Sequence, residues 1–425
     1  MVGRHFRFLV LPLITILAAC SGGGGDDDEE EGGGGGGGTT AGPGWTVPPA
    51  APPAPATGAT VDGVFRDALV QGLDYSDGGA LSGVTGSDGG FRYAQGNTVT
   101  FRIGGVTLGS YPGQPFMSPL HLIGTTTNLA QQIENRLRLL QLLDRDGNPE
   151  NGILISDAVR ATATNWTTPD FGASYADFAT AVQPIVADAS AADGTTHAVP
   201  SEVTAREHFV RTAWCTYNGL YRGTYTGSGD NGVWTMVAYG TGARMFGAGY
   251  SAVDRAGFEL EKQSGTGLSI FPTFATGQVS TGATFSGSFR TPDSITGTWT
   301  SGPDTGTFAG ARSGGSNAAI YRISGYSFPL GTALLINLEI DAADRITGSI
   351  IDRDYQGRAE PVTVTGTLTG TAFSAASAGN QYAFNATFDK NAAAGAYRLT
   401  GSLRDNIKNR DINLTGSPLT GCRLN

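Results

Sequence analysis

From residue 215 to its end the chain is written in short runs. An aromatic or aliphatic residue alternates with Gly, Thr or Ser, as in Tyr221-Arg222-Gly223-Thr224-Tyr225. A period of two with so few helix formers restricts this region to strands joined by tight turns. The runs predict strands over 221–226, 233–239, 244–250, 257–262, 285–290, 295–300 and 306–311. The same text then returns: Arg244-Met245-Phe246-Gly247 is echoed by Arg345-Ile346-Thr347-Gly348, and Phe285-Ser286-Gly287-Ser288-Phe289 by Phe384-Asn385-Ala386-Thr387-Phe388. Two halves, 215–315 and 316–425, each of seven or eight strands, predict a duplicated antiparallel meander. Such meanders remove their exposed edges by closing into small up-and-down barrels or by packing as sandwiches. Two barrels side by side are expected.

The other end of the chain is not foldable text. Arg4 and Arg7 precede an uncharged apolar run over 8–19 that ends Leu17-Ala18-Ala19-Cys20. That run has secretory length and falls short of the roughly 20 apolar residues a membrane-spanning helix needs. The ending resembles the lipobox of bacterial lipoproteins. The resemblance implies cleavage of a signal peptide over 1–19 and a lipid on Cys20, anchoring the chain to a membrane. Ser21 follows, and in resembling Gram-negative lipoproteins a residue other than Asp at that place accompanies outer-membrane sorting. Residues 20–60 then read as a tether: Gly runs flank Asp26-Asp27-Asp28-Glu29-Glu30-Glu31, and a Pro/Ala-rich stretch follows. Such a segment buries nothing and keeps itself extended.

Between tether and meander lie two further segments. Over 61–126, alternating runs are separated by Asp-Gly and Gly-Gly turns, as in Gly86-Ser87-Asp88-Gly89-Gly90-Phe91-Arg92-Tyr93, which argues a small antiparallel β module. It resembles the transthyretin-like modules of envelope proteins, which act as spacers rather than enzymes. Over 127–214 the period changes. Leu129, Ile133, Leu137 and Leu140 form one helical stripe, and Tyr175, Phe178, Val182 and Ile185 a second. A third helix opens at Ser201 as N-cap, with Val203, Val210 and Trp214 facing inward. The fold class is therefore mainly β with a small helical module.

The junction Glu207-His208-Phe209-Val210-Arg211-Thr212-Ala213-Trp214-Cys215-Thr216-Tyr217-Asn218-Gly219-Leu220-Tyr221-Arg222-Gly223-Thr224-Tyr225 resembles a pattern in an uncharacterised proteobacterial lipoprotein family. The stretch Leu139-Leu140-Gln141-Leu142-Leu143-Asp144-Arg145-Asp146-Gly147-Asn148 resembles another part of that family. The family implies architecture and carries no activity to transfer.

With Cys20 committed to lipid, Cys215 and Cys422 remain. In an oxidising compartment they are expected to pair, Cys215 opening the first barrel and Cys422 ending the second; two buried free thiols are the other reading. Asp144, Asp146, Asn148 and Asn151 form a candidate calcium turn, because alternating Asp and Asn deliver oxygens from one side of a loop. The other reading is a helix-to-loop transition rich in Asx turns. An EF-hand is excluded by Ile155 at its twelfth position. His208 is read as packing.

The formal charge of −10 and the lack of a basic patch exclude nucleic acid as a natural partner. No nucleophile elbow and no convergent acid–base set appears, so an enzyme is not expected. The expected function is a membrane-anchored envelope lipoprotein with a binding or interaction role. Its expected partners are the membrane, through the lipid, and a protein or small apolar ligand. The alternative is a structural envelope component whose barrels are sealed.

Overall fold

A computed structural model describes residues 58–124, 127–240, 244–261, 274–279, 281–313, 319–353, 360–393 and 396–424. The expectations for the signal peptide, Cys20 and the tether as far as residue 57 lie outside them.

The protein is mainly β with a small helical module. Two small sheets begin it. One places Thr60–Phe65 between Gly90–Ala94 and Phe116–Met117, and the other orders Ser82–Val84, Asp74–Ser76, Thr98–Ile103 and Val106–Pro112. Alternate residues of both meet in one core, where the Phe65 and Phe101 ring centroids lie 4.6 Å apart.

Five helices follow: α1 (Leu129–Leu142), α2 (Asp157–Ala163), α3 (Tyr175–Ala181), α4 (Gln183–Asp193) and α5 (Glu202–Tyr217). They do not make a core of their own. Leu139, Leu140, Phe178, Val182 and Ile185 join the core of the two sheets. Ile153–Leu154 also pairs in parallel with Val70–Gln71. Segments 61–126 and 127–214 thus share one apolar interior. The stripe on α1 divides, since Ile133 and Leu137 turn instead toward the first barrel.

On α5 the Ser201 hydroxyl accepts from the Thr204 amide at 3.0 Å, the expected N-cap. The inward face is the expected one in part. Trp214 is buried and Val210 packs against the core, but Val203 is 42% exposed, and Ala205, Phe209 and Ala213 are buried on the helix instead. The helix is amphipathic about a stripe of small and aromatic residues, and a valine at its exposed first turn carries no phase information.

The meander halves are related strand by strand. The first is a closed eight-stranded barrel running in order from Gly219–Gly227 to Asp304–Arg312, which pair with each other. Its fifth strand, Phe274–Val279, was not predicted. The second is a nine-stranded sheet, from Ala319–Ser327 to Arg410–Asn413, with the C-terminal strand Thr420–Arg423 on the free edge of Ala319–Ser327. A bridge from Arg398 to Thr420 curls the sheet back on itself. The two bodies meet through outward faces: Leu220, Val237, Tyr239 and Phe246 of the first pack on Ala333, Leu335 and Ile351 of the second.

Cys215 and Cys422 are disulfide-bonded, with Cα atoms 5.5 Å apart. The expected placement needs correction. Cys215 lies in the last turn of α5 rather than opening the first barrel, because the helix continues to Tyr217 and the first strand begins at Gly219. The bridge therefore staples the helix to the second meander, not one barrel to the other. Arg322 reinforces the staple. It is 3% exposed and donates from Nη1 to the carbonyls of Cys215 and Thr216, both at 2.9 Å, and from Nε to Glu339 at 2.8 Å. A guanidinium at a helix C-terminus satisfies carbonyls the helix cannot and opposes its dipole.

Candidate functional site: the lumen of the first barrel

Among the described residues only the first meander closes into the expected barrel; the second is a curled nine-stranded sheet. Both alternate inward and outward residues, but their interiors differ. The second is filled: Ile323, Leu334, Ile336, Leu338, Ile340, Ile350 and Val364 are all fully buried in one cluster, joined there by rings such as Phe373, Phe384 and Phe388. The first places rings and glycines inward.

The rings and glycines follow a rule across strands. Trp234 sits opposite Gly223, which sits opposite Gly310. Trp299 faces Gly306, which faces Gly227. Phe308 faces Gly297, which faces Gly287. In each row the ring lies flat over the two glycines. A Cβ on Gly310 would sit 2.3 Å from Trp234 Cζ2, one on Gly227 2.3 Å from Trp299 Cζ2, and one on Gly287 2.5 Å from Phe308 Cζ. Phe258 lies over Gly249 in the same way, at 2.1 Å. No side chain other than hydrogen fits beneath these rings. Because the rings hug the wall, the axis of the barrel stays open.

The result is a cavity of about 410 Å³ inside the barrel, lined by Trp234, Met236, Phe258, Leu260, Trp299 and Phe308 among others. Both indole N–H groups are used on the wall, Trp234 Nε1 donating to Thr224 O and Trp299 Nε1 to Thr226 O, each at 3.2 Å. The lumen is thus offered the carbon framework of each indole and not its donor.

One end is plugged. Tyr217, Tyr221 and Phe289 meet with centroids 5.1–5.3 Å apart. Phe209 and Ala213 of α5 and Ile133 and Leu137 of α1 close over them. The Tyr221 hydroxyl donates toward Tyr217 O and Pro292 O, each at 2.7 Å, which fixes the plug. The other end opens between turns that carry Asp230, Asp254 and Asp304. Asp230 accepts from Tyr225 Oη and Ser251 Oγ, each at 2.7 Å, and Asp304 accepts from Ser228 Oγ at 3.2 Å. Burial, then the Asp230 carboxylate, pushes the Tyr225 hydroxyl far above its usual range, so it stays a donor. Among the described residues none that lines the cavity is basic.

The residues singled out from sequence lie elsewhere. In the candidate calcium turn, Asp146 accepts from the Asn148 amide at 2.9 Å and from Asn151 Nδ2 at 2.7 Å, while Asp144 accepts from the Leu154 amide at 3.0 Å. The turn is thus tied by Asx hydrogen bonds within itself. Burial, opposed by the Leu154 amide, pushes Asp144 up to about 6. Among the described residues no group of three or more His, Cys, Asp or Glu side chains is placed to hold a metal ion.

His208 is buried on α5. Its Nδ1 lies 3.0 Å from Glu150 Oε1, which also accepts from Arg211 at 2.6 Å. Burial pushes Glu150 up, but His208 and Arg211 outweigh it and hold the group at about 2. Asp67, fully buried nearby, accepts from Gln141 at 3.3 Å, and burial raises it to about 6 despite His208. Neither Asp67 nor Glu150 was singled out from sequence; each is isolated in the text and meets its partners only through the fold.

No protein family, curated protein or solved structure matches this chain.

Proposed function

We propose that this protein is a lipid-anchored envelope protein that binds a small apolar molecule in the lumen of its first barrel. The observation that carries the reading is the open, ring-lined cavity. Its volume falls in the ~300–1,000 Å³ range of small-molecule sites, and a few fixed polar groups at one end of an otherwise apolar pocket are what such sites use for orientation. The second meander, by contrast, fills its centre, with Ile and Leu packed among Phe373, Phe384 and Phe388. That filled half favours a structural role for itself, as the platform on which the hollow half is mounted.

The test is titration of the full chain with the neutral fluorophore N-phenyl-1-naphthylamine, followed by probe emission and by tryptophan quenching. Saturable binding at a single site is expected. Leu260→Trp places an indole in the lumen and is expected to weaken binding tenfold or more while the near-ultraviolet circular dichroism persists. Absence of saturable binding in the native chain would refute the reading.

A further inference from the structure

We propose that the lumen selects organic cations: molecules with an apolar body and an ammonium head held at the mouth. This rests on the binding reading above and specifies its ligand class. Two independent features of the same end of the barrel support it.

The first is the ring arrangement. Tyr225 stands perpendicular to Trp299, with centroids 5.8 Å apart, and edge-on to Phe258 at 5.7 Å. Trp299 has turned its N–H to the wall, and the Tyr225 hydroxyl donates its hydrogen bond to Asp230. What this corner presents is aromatic carbon with its donors withdrawn. Aromatic faces attract alkylated ammonium groups through their quadrupole and have no comparable attraction for an anion.

The second is charge. Among the described residues, Asp230, Asp254 and Asp304 are the charged groups lining the cavity, and all three stand at its mouth. Asp230 is held by the Tyr225 and Ser251 hydroxyls and the Asn231 amide, so its charge is fixed beside the rings. The nearest cation in sequence, Arg255, follows Asp254 in the same turn, is exposed and does not line the cavity. A carboxylate ligand would meet three like charges there. A neutral ligand would gain nothing from them. A cation would gain from both the rings and the acids, in a partly enclosed site where screening is weaker than at an open surface.

The experiment compares octyltrimethylammonium, octanol and octanoate on the full chain at fixed ionic strength, by tryptophan fluorescence and calorimetry. The cation is expected to bind at least tenfold tighter than the alcohol, and octanoate weakest. The advantage should shrink as potassium chloride is raised. Asp254→Asn combined with Asp304→Asn is expected to reduce the cation-to-alcohol affinity ratio at least threefold. Equal binding of cation and alcohol overturns the proposed class and leaves the lumen reading standing. So does binding of the neutral fluorophore with none of the three octyl compounds. Failure of the fluorophore and all three together overturns both.

Discussion

Replacing Arg322 with Met separates the two jobs this residue performs at the end of α5. Its guanidinium caps the Cys215 and Thr216 carbonyls and balances Glu339, which is 2% exposed. Removing one member of a buried ion pair costs about 3–5 kcal/mol, because the remaining charge has lost its partner. An unpaired buried carbonyl adds about 1 kcal/mol or more. Arg322→Met is therefore expected to destabilise the protein by about 4–6 kcal/mol. Arg322→Met with Glu339→Leu replaces the pair by apolar residues and leaves only the carbonyls bare, so about 1–3 kcal/mol is expected. The coupling between the sites, at least about 2 kcal/mol, is read from a double-mutant cycle in urea unfolding. A double variant as unstable as the single would refute the argument that Arg322 offsets the burial of Glu339.

Three further outcomes are expected. Cys215→Ser with Cys422→Ser opens a loop of 207 residues, for which chain entropy sets an upper figure of about 5 kcal/mol and typical bridges give about 2–4; an unchanged melting temperature with and without reductant would contradict this. Asp67→Asn should stabilise the protein at pH 7. The native group titrates at about 6 against an ordinary 3.8, so the folded state holds the extra proton between those values. Its contribution is complete below about pH 4 and is lost as pH rises through 6, which makes the variant's advantage vanish in acid; denaturation at pH 4, 5.5 and 7 measures it. Gly310→Ala pushes a methyl into the Trp234 ring, so a loss of about 1–3 kcal/mol by urea unfolding and weaker fluorophore binding are expected; wild-type behaviour in both would mean the ring is not held by its glycines.

Local text carried most of the architecture. Period-two runs placed seven of the eight strands of the first barrel, and the echo of residues 244–247 at 345–348 anticipated that the halves share strand order. The reading failed where position depends on partners distant in sequence. Val203 was placed inward because helical spacing alone cannot tell a buried stripe from a valine at an exposed first turn. The expected helix ended one residue before Cys215 because nothing in Trp214-Cys215-Thr216-Tyr217 marks where a helix stops; it runs on to Tyr217, where Arg322, about a hundred residues on, donates to the carbonyls of its last turn. The lumen was illegible for the same reason. Gly223, Trp234 and Gly310 are scattered along the chain and form a row only once barrel register aligns them. Aromatic–glycine alternation marked strands, and the structure adds that the rings pack flat against the wall over the glycines.

Hollowness has a thermodynamic consequence. Side chains around a lumen of about 410 Å³ that opens at one end have fewer packing partners than those of a filled core. The first barrel is therefore held less by its own interior than the second meander, and leans more on its neighbours: the helices that cork it and the filled sheet against which it packs. Heating should loosen it first, with the filled sheet melting later. Any molecule that occupies the void would draw the two transitions together.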